Sequence, residues 1–161
     1  MIYSNDLNMK VCIGGTFDFL HDGHKNLINK AFEIAGENGF VFIGLTTNKI
    51  TKRKKTVVKI KDRQKQLQEY LIEKRFNNRA SIKPIKDKYG PSIDGDFDAI
   101  VVSPETFETA QEINQKRADN GKKPLKIIKI PYVLAEDGQP ISSSRIFRGE
   151  IDKNGHVIKH D

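Results

Sequence analysis

Short apolar runs (VCI, FVFIGL, AIVV and LKIIKI) are separated by stretches whose apolar residues recur at helical spacing, and this alternation constrains the chain most. Continuous apolar runs of that length suit strands buried on both faces, and strands alternating with helices fold as strand–helix–strand units around a parallel sheet. The expected class is therefore α/β. Strands are predicted over Lys10–Ile13, Phe40–Leu45, Ser81–Ile85, Asp98–Val102 and Leu125–Ile130. Helices are predicted from Asp22 to Gly36 or Gly39, from Asp62 to Phe76 with Asp62 as N-cap, and from Pro104 to Asn120 with Gly121 as the stop. A short last helix is expected in Ile141–Gly149, opened by capping serines, followed by a polar, mobile tail from Asp152. The 161 residues suit one domain, with a core over about 10–152.

Charge is unevenly distributed. Between Lys49 and Lys65 lie nine basic residues against the single acid Asp62, a local +8 within a net charge of +7. A cationic segment on a near-neutral body, with no Trp and little interleaving of aromatic and basic residues, disfavours a nucleic-acid-binding module. No apolar run approaches the ~20 residues of a membrane span and no charged-then-apolar leader is present, so a soluble, cytoplasmic protein is expected, without a membrane partner. The lone Cys12 can form neither an internal disulfide nor a cysteine-based zinc cage.

The stretch GGTFDFLHDGH, Gly14–His24, places two glycines and a hydroxyl where a strand hands over to a helix. Unpaired N–H groups and the helix dipole make such a junction suited to anions, and glycine lets the backbone approach a phosphate closely. His21 and His24 stand three apart near the helix start and can both face a polyphosphate. A tight turn with surface histidines fits the same spacing. A metal site fits less well, because no third or fourth ligand is evident. The later ISSSR, Ile141–Arg145, offers hydroxyls and amides for a terminal phosphate, although a triple serine alone fits helix capping better. The basic segment directly follows a strand, and in open parallel sheets ligands bind beyond the carboxyl ends of the strands.

GGTFDFLHDGH with a later ISSSR resembles the nucleotidyltransferase superfamily, which shares TFD and HxGH elements. The blocks VSPETFETAQEINQKRADNGKKPLKI and VLAEDGQPISSSRIFRGEID narrow the resemblance to phosphopantetheine adenylyltransferases of the archaeal type and the matching domain of eukaryotic coenzyme A synthase, over about Lys10–Asp152. That resemblance implies a Rossmann-like, doubly wound, five-stranded parallel sheet with helices on both faces. It implies adenylyl transfer from ATP to 4′-phosphopantetheine, with Mg²⁺ carried by ATP; an FAD synthetase or a cytidylyltransferase is the alternative within the superfamily.

Carried over by motif, Gly14, Gly15, Thr16, Phe17, His21 and His24 would bind ATP, with the two histidines stabilising charge during transfer. Ser142, Ser143, Ser144 and Arg145 would hold the β- and γ-phosphates. Thr16, Asp18 and a basic-segment lysine, taken as Lys52 with Lys54 or Lys55 as alternatives, would serve the second substrate, and that lysine would join the two histidines in catalysis by stabilising charge. Phe19 stands where bacterial enzymes usually carry proline, and Ser103–Thr106 stands where they carry an arginine-rich segment. Asn114 and Arg117 are taken as the replacements for those arginines, and the pantetheine arm is expected against apolar side chains and loop backbone around Asp87–Asp98.

Overall fold

A computed structural model describes residues 8–47 and 58–160. Five strands, β1 (Lys10–Gly15), β2 (Phe40–Thr46), β3 (Ala80–Ile85), β4 (Ala99–Val102) and β5 (Lys126–Lys129), form one sheet in the order β3-β2-β1-β4-β5. Every neighbouring pair is parallel, with Val11 opposite Val41 and Ala99, and Val41 opposite Ala80. The helices are α1 (Asp22–Ala35), α2 (Ile60–Glu73), α3 (Phe107–Asp119) and the short α4 (Ser143–Phe147).

The two-residue period of a strand sends successive side chains to opposite faces, and the core divides accordingly. Val11 and Ile13 of β1 pack with Ile28 and Phe32 of α1 and Leu67 and Leu71 of α2. Cys12 packs on the other face with Ile100, Val102 and, from α3, Ala110 and Ile113. Helices therefore cover both faces, as the resemblance implies. Each fully buried Ile, Leu or Phe contributes about 1.5–3 kcal/mol. Strand order reverses between β1 and β4, and in such sheets ligands bind at that point, beyond the strand ends.

Three local expectations need correction. Asp62 is not the cap of α2: the helix starts at Ile60, Lys59 occupies the cap position without a side-chain bond, and Asp62 lies in the first turn. There its charge still faces the positive end of the helix dipole. α3 starts at Phe107 rather than Pro104, because Ser103–Thr106 close a turn of their own, with Thr106 N–H donating to Ser103 O at 3.1 Å.

Residues 153–160 are folded. Asp152 accepts backbone N–H groups of Asn154 and His156, each at 2.9 Å, and Gly155 turns the chain at φ 86°. A Cβ at Gly155 would sit 2.9 Å from Ile141 Cδ1. Ile151 then bridges Val157, and both join a small cluster with Ala135 and Ile141. This segment braces α1: Asp22 N–H donates to Lys153 O at 2.9 Å, and Asn154 Nδ2 donates to Asp22 Oδ1 at 3.0 Å.

Candidate active site

β1 ends in Gly14 and Gly15, and the chain then turns sharply into α1. Three non-glycine residues of that turn hold positive φ: Phe17 at 53°, Phe19 at 64° and Leu20 at 36°. Such conformations cost about 1–3 kcal/mol each and persist only where the surroundings over-determine them. The surroundings do so here. Phe17 is buried in the core at 1% exposure, so its contact with a ligand is limited to its backbone. Asp18 O accepts from Ser143 Oγ at 3.0 Å, which joins the ISSSR segment to the first motif across 125 residues. Thr16 and Thr46 share a hydroxyl hydrogen bond of 3.0 Å, joining the turn to the end of β2.

His21 caps α1, and its Nδ1 accepts from Gly23 N at 3.0 Å and His24 N at 3.3 Å. His24 Nδ1 accepts in return from His21 N at 3.2 Å, closing a reciprocal capping box. The rings stack, centroids 3.6 Å apart, with His24 the less buried. A ring whose Nδ1 accepts a backbone N–H carries its neutral-form proton on Nε2, so both imidazoles are set as Nε2–H donors. The intervening glycine is sterically required: a Cβ at Gly23 would meet His21 Cε1 at 2.8 Å.

In ISSSR, Ser142 Oγ caps α4 by accepting from Arg145 N at 3.2 Å, and Ser144 sits half-buried in its first turn. Arg145 is engaged by carboxylates, pairing with Asp137 and, at 3.1 Å, with Glu150 Oε1. The guanidinium holds the Asp137 carboxyl below its ordinary value; Arg148 first and Arg145 second do the same for Glu150. Lys52, with Lys54 and Lys55, lies outside the described residues.

Asn114 and Arg117 hold the fold rather than face this turn. Asn114 Oδ1 and Nδ2 pair with Leu125 N at 2.7 Å and Leu125 O at 2.9 Å. Arg117 is buried and donates to the carbonyls of Ser92, Ile93, Gly95 and Lys123. Both side chains are thus turned to the backbone, Arg117 holding Ser92 at the wall of a cavity. That cavity, about 120 Å³, opens at the same strand ends between Gly14, Gly15 and Thr46 on one side and Tyr89, Pro91 and Ser92 on the other. Cys12, Phe42, Ile100 and Ile113 supply apolar wall. Burial pushes the Cys12 thiol up to about 12, so it stays protonated. At the rim, Tyr89 Oη donates to Glu112 Oε2 at 2.6 Å and Lys88 pairs with the same carboxylate at 2.8 Å.

Arg63 escaped the sequence reading, which counted it with the cationic segment. It is wholly buried, donating from Nη1 to Thr16 O at 2.9 Å and Thr46 O at 2.8 Å, and from Nε to Val58 O at 3.0 Å. Asp18 Oδ1 lies 3.7 Å from its Nε. The signal was present: Arg63, Leu67, Tyr70 and Leu71 fall at i, i+4, i+7 and i+8, the buried stripe of α2.

The site thus offers hydroxyls, imidazole donors and a strained turn beside an apolar cavity, and known proteins carry the same chain pattern. Residues 12–149 match the cytidylyltransferase-like family model. A phosphopantetheine adenylyltransferase of Methanosarcina mazei is 48% identical over 151 residues, covering 93% of this chain and 97% of that one. Among solved structures, an Archaeoglobus fulgidus protein of unknown function is 39% identical with a TM-score of 0.68, covering 76% of this chain and 89% of that one. A pantoate–β-alanine ligase of Francisella tularensis, 17% identical with a TM-score of 0.54 over 89% of this chain and 68% of that one, shares the fold alone. Matched nearly end to end at this identity, the chain belongs to the phosphopantetheine adenylyltransferase family, within the cytidylyltransferase-like nucleotidyltransferases.

Proposed function

We propose that this protein transfers the adenylyl group of ATP to 4′-phosphopantetheine, giving dephospho-coenzyme A and pyrophosphate, a step of coenzyme A biosynthesis. The near-full-length relationship to the Methanosarcina mazei enzyme carries this reading. The geometry supports it, because phosphate-type donors and an apolar cavity share the strand ends around Gly14, Gly15 and Thr46.

The attacking oxygen belongs to a phosphate monoester whose second pKa is about 6, so it is largely ionised at neutral pH and calls for no strong general base. Asp18, the carboxylate of the turn, lies against Arg63 and is not needed as one. Catalysis rests on bringing two anions together and stabilising the charge that moves onto the α-phosphate and pyrophosphate. His24, the more accessible ring, donates from Nε2 to the reacting phosphate, and His21 fixes its orientation through the capping box while adding a second donor. The Phe17 amide and the Ser142–Arg145 segment receive the remaining phosphate oxygens, and Lys52 adds charge. Thr16, steadied by Thr46, orients the acceptor phosphate.

Mg²⁺ on the ATP oxygens would neutralise charge on the β- and γ-phosphates. The site's donors are imidazole, hydroxyl and amide groups rather than carboxylates, a set that fits a phosphate-borne cation better than a protein-held one. The uncharged pantetheine arm lies along the cavity, where the protonated Cys12 leaves its terminal thiol unchallenged.

Pyrophosphate release with ATP and Mg²⁺ tests the reading. Turnover is expected with 4′-phosphopantetheine and not with flavin mononucleotide, nor with CTP and glycerol 3-phosphate. Turnover only with another pair would move the acceptor, and silence with every pair would overturn the activity.

A further inference from the structure

Arg63 is the largest fully enclosed side chain among the described residues, at 0% exposure. Burying a guanidinium is costly unless its donors are met, and an apolar side chain of similar volume would fill the same space without that penalty. Burial lowers the proton affinity of Arg63, with Asp18 acting against it. A charged group at this place therefore calls for a reason other than filling the stripe of α2.

The reason lies in what it holds. Its carbonyl partners are Thr16, first residue of the strained turn, Thr46, last residue of β2, and Val58, just ahead of α2. No peptide among the described residues is cis, and in a planar trans peptide the C=O and N–H point in opposite directions. With Thr16 O fixed on the buried guanidinium, the Phe17 N–H is aimed away from Arg63. The same contact sets the Thr16 backbone, whose hydroxyl meets Thr46, itself anchored by the same Nη1. Arg63 grips the carbonyl of Thr16 and Ser143 grips that of Asp18, on either side of the left-handed Phe17.

We propose that Arg63 is a positioning residue for adenylyl transfer, locking the Thr16–Phe17 peptide so that its amide and the Thr16 hydroxyl meet the nucleotide and acceptor phosphates already oriented. The role rests on the activity proposed above, and it acts through the backbone rather than by touching substrate. Preorganised donors lose no free energy to reorganisation during reaction, whereas a displacement of about 1 Å costs about 100-fold in rate.

Arg63→Lys and Arg63→Gln in the full chain test it. Lysine keeps the charge, but its single nitrogen cannot reproduce the fork that serves Val58 together with Thr16 and Thr46. Each variant is assayed well below its own melting midpoint, with circular dichroism for the fold, calorimetry for binding of ATP with Mg²⁺, and pyrophosphate release for kcat and KM. Both are expected to fold with lowered melting temperature. In Arg63→Gln, kcat falls about 100-fold and ATP binding weakens about 10-fold, while Arg63→Lys recovers part of both. A purely structural arginine would lower the melting temperature and leave the folded enzyme alone, so folded variants within about threefold of the parent in kcat and ATP affinity overturn the proposal. Failure of both variants to fold assigns Arg63 to stability and overturns it equally. If the parent binds ATP but does not use phosphopantetheine, the acceptor assignment fails and the calorimetric comparison still decides Arg63; a parent that binds no ATP overturns both.

Discussion

Arg63 and Arg117 lie on opposite faces of one sheet, and both give their N–H groups to backbone carbonyls far away in sequence. Their settings differ. Arg63 holds a turn in which three non-glycine residues keep positive φ, beside the capping histidines. Arg117 holds the β3–β4 connection at Ser92, Ile93 and Gly95, where the one positive φ falls on Gly90 and strain is small. The same device thus enforces an unfavourable geometry on the turn, the proposed phosphate side, and merely fastens a wall on the cavity side. If that division is real, damage on the first side appears in kcat and damage on the second in KM for the pantetheine substrate.

The largest effect is expected from His24→Ala, which removes an Nε2 donor and half of the capping box. We expect kcat to fall about 10²–10³-fold with only a modest change in ATP affinity, measured by pyrophosphate release and calorimetry. A loss confined to ATP affinity would break the comparison, because the turn would then bind its ligand without favouring the transition state. Arg117→Met comes next. It leaves four carbonyls without their donor, so chemical denaturation should show a stability loss of about 3 kcal/mol. KM for phosphopantetheine should rise about 10-fold while kcat stays within about threefold. A fall in kcat matching that of the Arg63 variants would mean that the two faces are not separable.

A finer probe of the cavity side is Gly44→Ala. The new Cβ would stand 2.9 Å from Ile85 Cδ1, and both residues line the cavity. Ile85 gives way toward the space assigned to the arm, which should raise KM for phosphopantetheine about fivefold and leave ATP binding unchanged. Unchanged KM with the variant folded would place the arm elsewhere.

The difference between the faces also explains what could be read beforehand. β4 is buried at all four positions, β2 at five of seven and β1 over Val11–Ile13, hence their continuous apolar runs were legible, and strand–helix alternation then left few arrangements. The GGTFDFLHDGH and ISSSR motifs were legible because glycines, histidines and serines there serve local geometry: Gly23 makes room for His21, and Ser142 caps α4. Arg63 was hidden because a charge count sums neighbours in sequence, whereas burial depends on which face of a helix a residue occupies. Asn114 and Arg117 carried the opposite risk, since motif position lends a role that side-chain direction must still grant, and packing turned both toward backbone. Polar composition concealed the fold of the C-terminal segment, although an aspartate two residues before an asparagine and three before a glycine is itself a turn signal.

That segment gives the smallest and most selective test of the phosphate side, because Asp152 and His156 close the turn whose Lys153 and Asn154 brace Asp22 at the start of α1. Asp152 is held below its ordinary value, chiefly by the His156 backbone N–H, and His156 is held above its own, chiefly by its hydrogen bond to Asp152, with Glu136 and Asp22 adding to it. A raised histidine contributes fully below its unfolded value of about 6.5 and loses that contribution as pH rises through the folded value. A depressed aspartate contributes above its unfolded value of about 3.9 and loses that contribution as pH falls through the folded value. The clasp is therefore tightest between about pH 4 and pH 6.5 and loosens on the alkaline side. By NMR, the Asp22 amide should titrate together with the His156 ring, at a midpoint above that of a free histidine, and this movement should vanish in His156→Gln. Turnover should change less than about twofold, since His156 is exposed, Asp152 is only half-buried and α1 keeps its capping box. An Asp22 amide that titrates unchanged in His156→Gln would detach the segment from the phosphate side and leave Arg63 and Ser143 as the braces of the turn.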